Sequence, residues 1–224
     1  QNNEIVTIKN GNQSSDKINC NISLTNYFKL YGQIEKESIE QRLSDEADRR
    51  RFEEFMEQHF KDFSNLFFKI AKLNKKDKSN WRKTDNEVTQ NGSYIKYTVY
   101  GKKYSIHLEN DFLKTDYNLE GDEAFYFLTG GWMETHVYNK LLESKLFPEI
   151  KLNKKFQWSD KNKKDKNEFD ILTMKGHMLS IYEIKTGAVT HEMLYKLKSI
   201  KDSYGGRYAV INFVTPFKVD DELE

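Results

Sequence analysis

The chain has 224 residues, of which 37% are hydrophobic, 32% charged and 14% aromatic. This composition is typical of a folded globular protein and excludes a low-complexity polypeptide. The formal net charge is only +1, so the protein does not coat nucleic acid through bulk positive charge, and any basic surface must be local. The single cysteine, Cys20, cannot form an internal disulfide, and nothing in the sequence resembles a secretory signal or a long apolar span. We therefore expect a cytoplasmic protein that does not enter a membrane.

The N-terminal half shows a polar segment followed by helical and hairpin patterns. Residues 1–20 are rich in Asn, Ser and Gly and predict a linker or tail, with one short strand at residues 5–8. Residues 21–118 predict a connecting subdomain. Its elements are a short helix ended by Gly32, an amphipathic helix over residues 38–73 with a break near residues 62–65, and a hairpin over residues 94–100 and 103–108. The apolar residues that predict the buried stripe of the long helix are Phe52, Phe55, Met56, Phe60, Phe63, Phe67 and Ile70.

The C-terminal half, residues 119–220, reads as a second unit. A helical pattern over residues 123–145 is interrupted by Gly130-Gly131, which predicts either two separate helices or close packing of the backbone there. The pattern then predicts strands at residues 150–158, 167–174, 179–185 and 207–215, with a helix at residues 192–204. Because a strand–helix–strand passage usually joins parallel neighbours, we expect an α/β fold of the α+β kind, with a mixed sheet.

Acidic residues on the middle hairpin suggest a catalytic site. If Gly176-His177 forms a two-residue turn, facing residues have numbers that sum to 353, and Asp170 stands opposite Glu183 with Cβ atoms about 5 Å apart. Two carboxylates that close repel one another unless a proton or a cation lies between them, and Mg²⁺ or Mn²⁺ prefers such oxygen ligands. Glu183 and Lys185 are two apart and are expected to share a strand face, where the ammonium holds an attacking water or screens phosphoryl charge. The spacing therefore predicts hydrolysis of a phosphodiester, and the alternative is a surface ladder of ion pairs without chemistry.

The sequence resembles a known family at these residues. Asn167-Glu168-Phe169-Asp170 and Tyr182-Glu183-Ile184-Lys185-Thr186-Gly187 resemble the bipartite signature of PD-(D/E)xK nucleases, whose Asp and Glu hold the metal and whose Lys assists the water. With Gly130-Gly131-Trp132-Met133-Glu134, Tyr195-Lys196-Leu197 and Gly205-Gly206-Arg207, the chain is similar to the nuclease half of CRISPR-associated CARF nucleases, which cyclic oligoadenylate activates. The resemblance implies a restriction-endonuclease-like core over residues 119–220, preceded by the helical and hairpin connecting subdomain.

The resemblance also implies a role for the glutamate of the helix that precedes the strands. Glu134 is expected on the inward face, as metal ligand or water orienter, and the alternative is a glutamate favoured by the helix dipole. Phosphate contacts are expected from two groups of residues. These groups are the basic run Lys161, Lys163, Lys164 and Lys166, and the pair Tyr195 and Lys196 on the following helix.

Partners and regulation remain open in the sequence. The substrate is DNA, RNA or both, and the resemblance implies a homodimer whose CARF sensor binds cyclic oligoadenylate. We expect that sensor only in a longer chain, so these residues represent either an effector half or a stand-alone relative. Three functions are compatible with the motifs: a weakly specific endonuclease of antiviral defence, a sequence- or structure-specific restriction or resolvase nuclease, and a non-catalytic nucleic-acid-binding or protein-interaction domain.

Overall fold

The structure is a computed structural model that describes residues 4–9, 12–17, 22–36, 46–76, 82–88, 94–100, 103–109, 114–120, 124–160, 166–187 and 189–217. Within these residues the chain is of the α+β class. None of the helices in the described ranges combines the length and the apolar character that crossing a bilayer requires.

The first elements are β1 (Glu4–Lys9), β2 (Asn12–Lys17), α1 (Leu24–Leu30) and β3 (Gln33–Glu35). The two first strands form an antiparallel hairpin, of which the sequence predicted only the apolar strand, because β2 is polar throughout and lacks the alternation that reveals a strand. Ser23 caps α1 by accepting a hydrogen bond from the Asn26 backbone N–H at 3.3 Å. Gly32, with φ of 71°, follows the helix as predicted.

The next elements are α2 (Glu46–Lys76), β4 (Arg82–Val88), β5 (Tyr94–Tyr100), β6 (Lys103–Glu109) and β7 (Lys114–Glu120). The four strands form an antiparallel sheet in chain order, and the predicted hairpin is its central pair. The predicted break in the long helix was wrong. Ser64 lies in continuous helix and donates its hydroxyl to the Lys61 carbonyl, so this polar residue is satisfied within its own turn. The predicted stripe is buried from Phe52 to Phe63, while the side chains of Phe67 and Ile70 lie outside the described set.

The last elements are α3 (Ala124–Tyr126), a π-helical turn (Phe127–Gly131), α4 (Trp132–Ser144), β8 (Glu149–Trp158), β9 (Lys166–Lys175), β10 (Met178–Ile184), α5 (His191–Tyr204), a 3₁₀ turn (Gly206–Tyr208) and β11 (Ala209–Val214). These elements agree with the predicted ones to within three residues at each end. The helix is interrupted at the predicted glycines, since Gly130 has non-helical backbone angles.

A five-stranded sheet has the order β11-β10-β9-β8-β3. The pairs from β10 to β3 are antiparallel. The Lys185 backbone N–H donates to the Val214 carbonyl at 3.0 Å. Because Lys185 follows β10 and Val214 ends β11, these two strands finish at the same edge and run parallel. The predicted mixed sheet is confirmed.

The chain divides into two compact units, neither of which is continuous in sequence. Unit 1 comprises Gln1–Glu37, Leu141–Glu183 and Glu192–Asn212, and unit 2 comprises Ser38–Lys140, Ile184–His191 and Phe213–Glu224. The core of unit 1 includes Phe28, Phe156, Phe169, Leu172 and Tyr204. The core of unit 2 includes Phe52, Phe60, Tyr117, Phe127 and Trp132. The boundaries expected near residues 20 and 119 stay predictions.

Candidate active site

The β9–β10 hairpin positions the two candidate metal ligands. Gly176 and His177 form the turn, and Gly176 has the positive φ, 65°, that a tight turn requires. The observed pairs run from Met178 opposite Lys175 to Tyr182 opposite Ile171, so facing residues have numbers that sum to 353 as predicted. Continued by one residue, this register puts Glu183 opposite Asp170.

The hairpin that carries this acidic pair also carries a set of buried apolar residues. Ile171 and Leu172 follow Asp170 on β9, Ile181 precedes Glu183 on β10, and each is no more than 1% exposed. Asp170 and Glu183 are half-buried. Their backbone is therefore held by a packed sheet, and both residues are partly exposed. That combination favours a binding site built on rigid elements.

Lys185 follows the last residue of β10 and is half-buried. Its backbone N–H is bound to Val214, which anchors the residue at the end of the sheet. The next residue, Thr186, donates its hydroxyl to the Thr129 carbonyl at 3.5 Å. A Cβ added to Gly130 would lie 3.2 Å from that hydroxyl oxygen. The predicted close approach at the paired glycines is thus confirmed, and it involves the segment directly after Lys185.

Glu134 lies in the first turn of α4 and is only 7% exposed. The Tyr126 hydroxyl donates to its carboxylate, at 2.6 Å from Oε1 and 2.5 Å from Oε2. The expected burial of Glu134 is confirmed, while its catalytic role stays a prediction. Sequence reasoning missed Tyr126. The signal that points to it is the neighbouring Gly131, whose missing side chain leaves room for a ring.

An unusual backbone conformation lies opposite Asp170. Strand β8 pairs Leu152 with Ile171 and Lys154 with Phe169, so the residue between them, Asn153, stands opposite Asp170. Its φ is 50°, which a residue with a side chain rarely adopts inside a strand. Asn tolerates this left-handed region better than most residues. Sequence reasoning did not single out Asn153.

The predicted nucleic-acid contacts are only partly described. Lys161, Lys163 and Lys164 lie outside the described residues, and Lys166 begins β9 without a described side chain. Tyr195 and Lys196 are on α5, and both side chains are exposed, Tyr195 at 70%. Exposure of a large aromatic side chain beside a lysine is compatible with a contact to nucleic acid.

The residues at this site suit a hard divalent cation. In the parts of the chain that the structure describes, no group of three or more His, Cys, Asp or Glu side chains is arranged to hold a metal ion. Asp170 and Glu183 would supply two carboxylates as candidate ligands. Mg²⁺ is commonly held by one or two carboxylates, with water and substrate phosphate completing its shell. The donor chemistry fits Mg²⁺ or Mn²⁺, and the presence of the metal stays a prediction.

The mixed sheet and its acidic hairpin define a restriction-endonuclease-like core. Residues 121–223 match the family model described as the Card1-like endonuclease domain. The chain thus resembles the nuclease half of CRISPR-associated CARF nucleases, as its motifs predicted. No curated protein matches the chain.

Solved structures share the fold over almost the whole chain. The structure of Can2 from Sulfobacillus thermosulfidooxidans in complex with cyclic tetra-adenylate matches 99% of the chain, with 16% identity and a TM-score of 0.61. Protein VC1899 from Vibrio cholerae matches 98%, with 16% identity and a TM-score of 0.59. The chain spans 59% and 61% of the lengths of these two proteins.

Proposed function

We propose that the chain is a metal-dependent endonuclease that hydrolyses phosphodiester bonds of DNA or RNA with little sequence specificity, in CRISPR-linked antiviral defence. The observation that carries the proposal is the hairpin register, which runs as far as Tyr182 opposite Ile171 and, continued by one residue, would set Glu183 opposite Asp170. The match of residues 121–223 to the Card1-like endonuclease domain supports it. An ion-pair ladder alone would give no reason for that match.

Asp170 and Glu183 are the residues that would hold Mn²⁺ or Mg²⁺. A divalent ion at these carboxylates supplies Lewis-acid stabilisation of phosphoryl oxygens and lowers the pKa of water. The hairpin contributes fixed ligand positions, because its neighbouring side chains are packed in the core. Ordered ligands cost little further entropy when the substrate binds.

Lys185 and Glu134 have supporting roles in the proposal. The ammonium group of Lys185 holds the attacking water or stabilises negative charge on the phosphoryl group. Glu134 serves as a further ligand or orients the water. Their assignment to this chemistry comes from the family resemblance.

Substrate binding is assigned to exposed basic and aromatic residues. Tyr195 and Lys196 on α5 contact the nucleic-acid backbone or stack on a base, and the lysines of residues 161–166 attract phosphate. Replacing the four lysines of that run with glutamine is expected to weaken binding and to flatten its dependence on salt. Wild-type binding across a salt series would show that the run is only solvated surface.

Regulation is proposed to depend on association. We expect the chain to act as a homodimer, with specific cleavage rate rising with protein concentration, since association is an effective switch for a site already assembled on one hairpin. The family resemblance implies that response to cyclic oligoadenylate requires a CARF sensor domain, and we assign residues 21–220 to the connecting subdomain and the nuclease core. Cyclic tetra-adenylate is therefore expected not to change the rate of these 224 residues. A rate independent of concentration would contradict the association model.

The decisive experiment measures cleavage of plasmid, single-stranded DNA and RNA with Mn²⁺, Mg²⁺ or a chelator. Asp170→Asn, Glu183→Gln and Lys185→Met are each expected to lower the rate by on the order of 10²-fold or more while the melting temperature indicates an intact fold. Glu168→Gln is the matched control, because Glu168 lies two residues before Asp170 on β9 but is exposed and paired with Lys155. Wild-type cleavage by Asp170→Asn would refute the proposal, and discrete products would indicate a sequence-specific enzyme.

A further inference from the structure

Tyr126 and Glu134 form a close contact that the resemblance did not reveal. One phenol hydroxyl faces both carboxylate oxygens, at 2.6 and 2.5 Å. The glutamate is 7% exposed, whereas the tyrosine is 43% exposed. A buried carboxylate needs hydrogen-bond donors to offset the loss of water, and a hydrogen bond to a charged group is among the stronger ones.

The helix is shaped to bring these two residues together. Residues eight apart in a regular α-helix are separated by roughly 12 Å along the axis. Here the π-helical turn Phe127–Gly131 and the kink at Gly130 lie between them. Single π-helical turns inside α-helices occur frequently at functional sites. The contact therefore depends on this local departure from α-helical geometry.

Gly131 provides the space that the Tyr126 ring occupies. A Cβ added to Gly131 would lie 2.5 Å from Cε1 and 2.6 Å from Cδ1 of that ring. Such distances are far below van der Waals contact, so any other residue at position 131 would displace the ring. The paired glycines thus have separate roles: Gly130 allows close approach of the Thr186 hydroxyl, and Gly131 allows close approach of the Tyr126 ring.

We infer that Tyr126 is a positioning residue, which holds the Glu134 carboxylate in a single orientation. Its ring reaches the carboxylate because Gly131 has no side chain to block it. The inference rests on the proposed nuclease function, in which Glu134 is a ligand or a water orienter. A carboxylate has about four lone-pair sites, and the phenol shares its single proton between the two oxygens in a bifurcated hydrogen bond. The remaining lone pairs then point in fixed directions.

The kinetic test uses Tyr126→Phe, which removes only the hydroxyl group. We expect kcat with Mn²⁺ to fall by about tenfold or more, as for other residues that orient metal-site ligands, while KM for the nucleic acid stays within about twofold. Tyr100→Phe is the control, since Tyr100 is a tyrosine on β5 that is 65% exposed. Wild-type kcat for Tyr126→Phe alongside an inactive Asp170→Asn would overturn the inference and leave the proposed function standing. Full activity of Asp170→Asn would overturn both.

The structural test needs no metal and no activity. Tyr126→Phe is expected to lower the Tm of the metal-free protein by roughly 3–6 °C, but to change it by less than about 1 °C in the Glu134→Leu background. Gly131→Ala is expected to lower Tm and kcat in the wild-type background, and to lower Tm no further in Tyr126→Ala, where no ring meets the added methyl group. Equal Tm losses from Tyr126→Phe in both Glu134 backgrounds would contradict the positioning role, as would a Gly131→Ala chain with wild-type kcat.

Discussion

The two compact units hold their carboxylates in opposite ways. In unit 1, Asp170 and Glu183 are half-buried on a hairpin that also carries the buried residues Phe169, Ile171 and Ile181. In unit 2, Glu53 of α2 is only 3% exposed, with the Arg49 guanidinium 3.6 Å from its Oε1 and the Asn139 amide 3.2 Å from its Oε2. Burial raises the pKa of Glu53 to about 7, although the positive charge of Arg49 and the hydrogen bond from Asn139 offset part of that effect.

The difference is one of burial, since Asp170 and Glu183 are partly exposed whereas Glu53 is almost fully buried. Asp170 and Glu183 are partly exposed on strands whose apolar residues Ile171, Leu172 and Ile181 are packed. A carboxylate inside a helix interface approaches neutrality near pH 7, because its partners compensate only part of its lost hydration. Burial alone is therefore no sign that an acidic residue is catalytic. The proposed role of Glu134 is supported separately by its hydrogen bond from Tyr126.

The largest expected effect on stability comes from truncating a side chain in the hydrophobic core of unit 1. Phe28 is fully buried, stacks on Phe156 with ring centroids 3.9 Å apart and also packs near Tyr204. Phe28→Ala is expected to lower the free energy of unfolding by about 3–5 kcal/mol, measured by urea denaturation. Leu30→Ala, on the same helix but 75% exposed, should cost less than about 0.5 kcal/mol. Similar losses for both variants would show that α1 does not support the sheet.

The next effect concerns pH and Glu53. Because its folded-state pKa of about 7 lies above the ordinary glutamate pKa of 4.5, the folded state binds more protons than the unfolded state between those values. Its contribution to stability is therefore present below about pH 4.5 and is lost as pH rises through 7, by up to about 3 kcal/mol. Urea denaturation between pH 5 and 8 should show this decline in the wild type and a flatter profile in Glu53→Gln. Glu54→Gln, on the exposed side of α2, is the control. Identical pH profiles for the wild type and Glu53→Gln would remove Glu53 as the cause.

A third expected effect tests whether Asp170 and Glu183 of unit 1 bind the metal. Mn²⁺ at about 100 times its Kd is expected to raise the free energy of unfolding by about 2.7 kcal/mol, since binding only to the folded state stabilises it. Asp170→Asn should abolish this gain, whereas Glu168→Gln should retain it. The measurement is thermal unfolding against Mn²⁺ concentration. Undiminished stabilisation of Asp170→Asn would remove that residue from the metal site.

The smallest effect concerns the backbone opposite Asp170. Asn153 has φ of 50°, so Asn153→Gly is expected to change stability by less than about 1 kcal/mol, whereas Asn153→Val should lower it by about 1–3 kcal/mol. Thermal unfolding of the two variants gives the comparison. A stable Asn153→Val chain would indicate that β8 readily adopts ordinary strand geometry there.

The sequence by itself determined the strand and helix pattern of residues 124–217 and the register of the β9–β10 hairpin. Both depend on local features. Alternation of apolar and polar residues reveals a strand, and the two-residue turn at Gly176-His177 sets the register of the two strands that it joins. It also predicted the interruption at Gly130-Gly131, because glycine pairs weaken a helix wherever they occur. The roles of Glu134 and Lys185 stay predictions.

Only the tertiary structure decided which distant segments meet. Strand β3 pairs with β8 across more than a hundred residues, and Glu53 meets Asn139 across 86. Neither contact produces a periodic pattern in the sequence, since each depends on the shapes of surfaces that form only when the chain has folded. The Tyr126–Glu134 contact is closer in sequence, yet a regular helix would hold those residues two turns apart. It exists because the π-helical turn and the space above Gly131 let the ring reach the carboxylate.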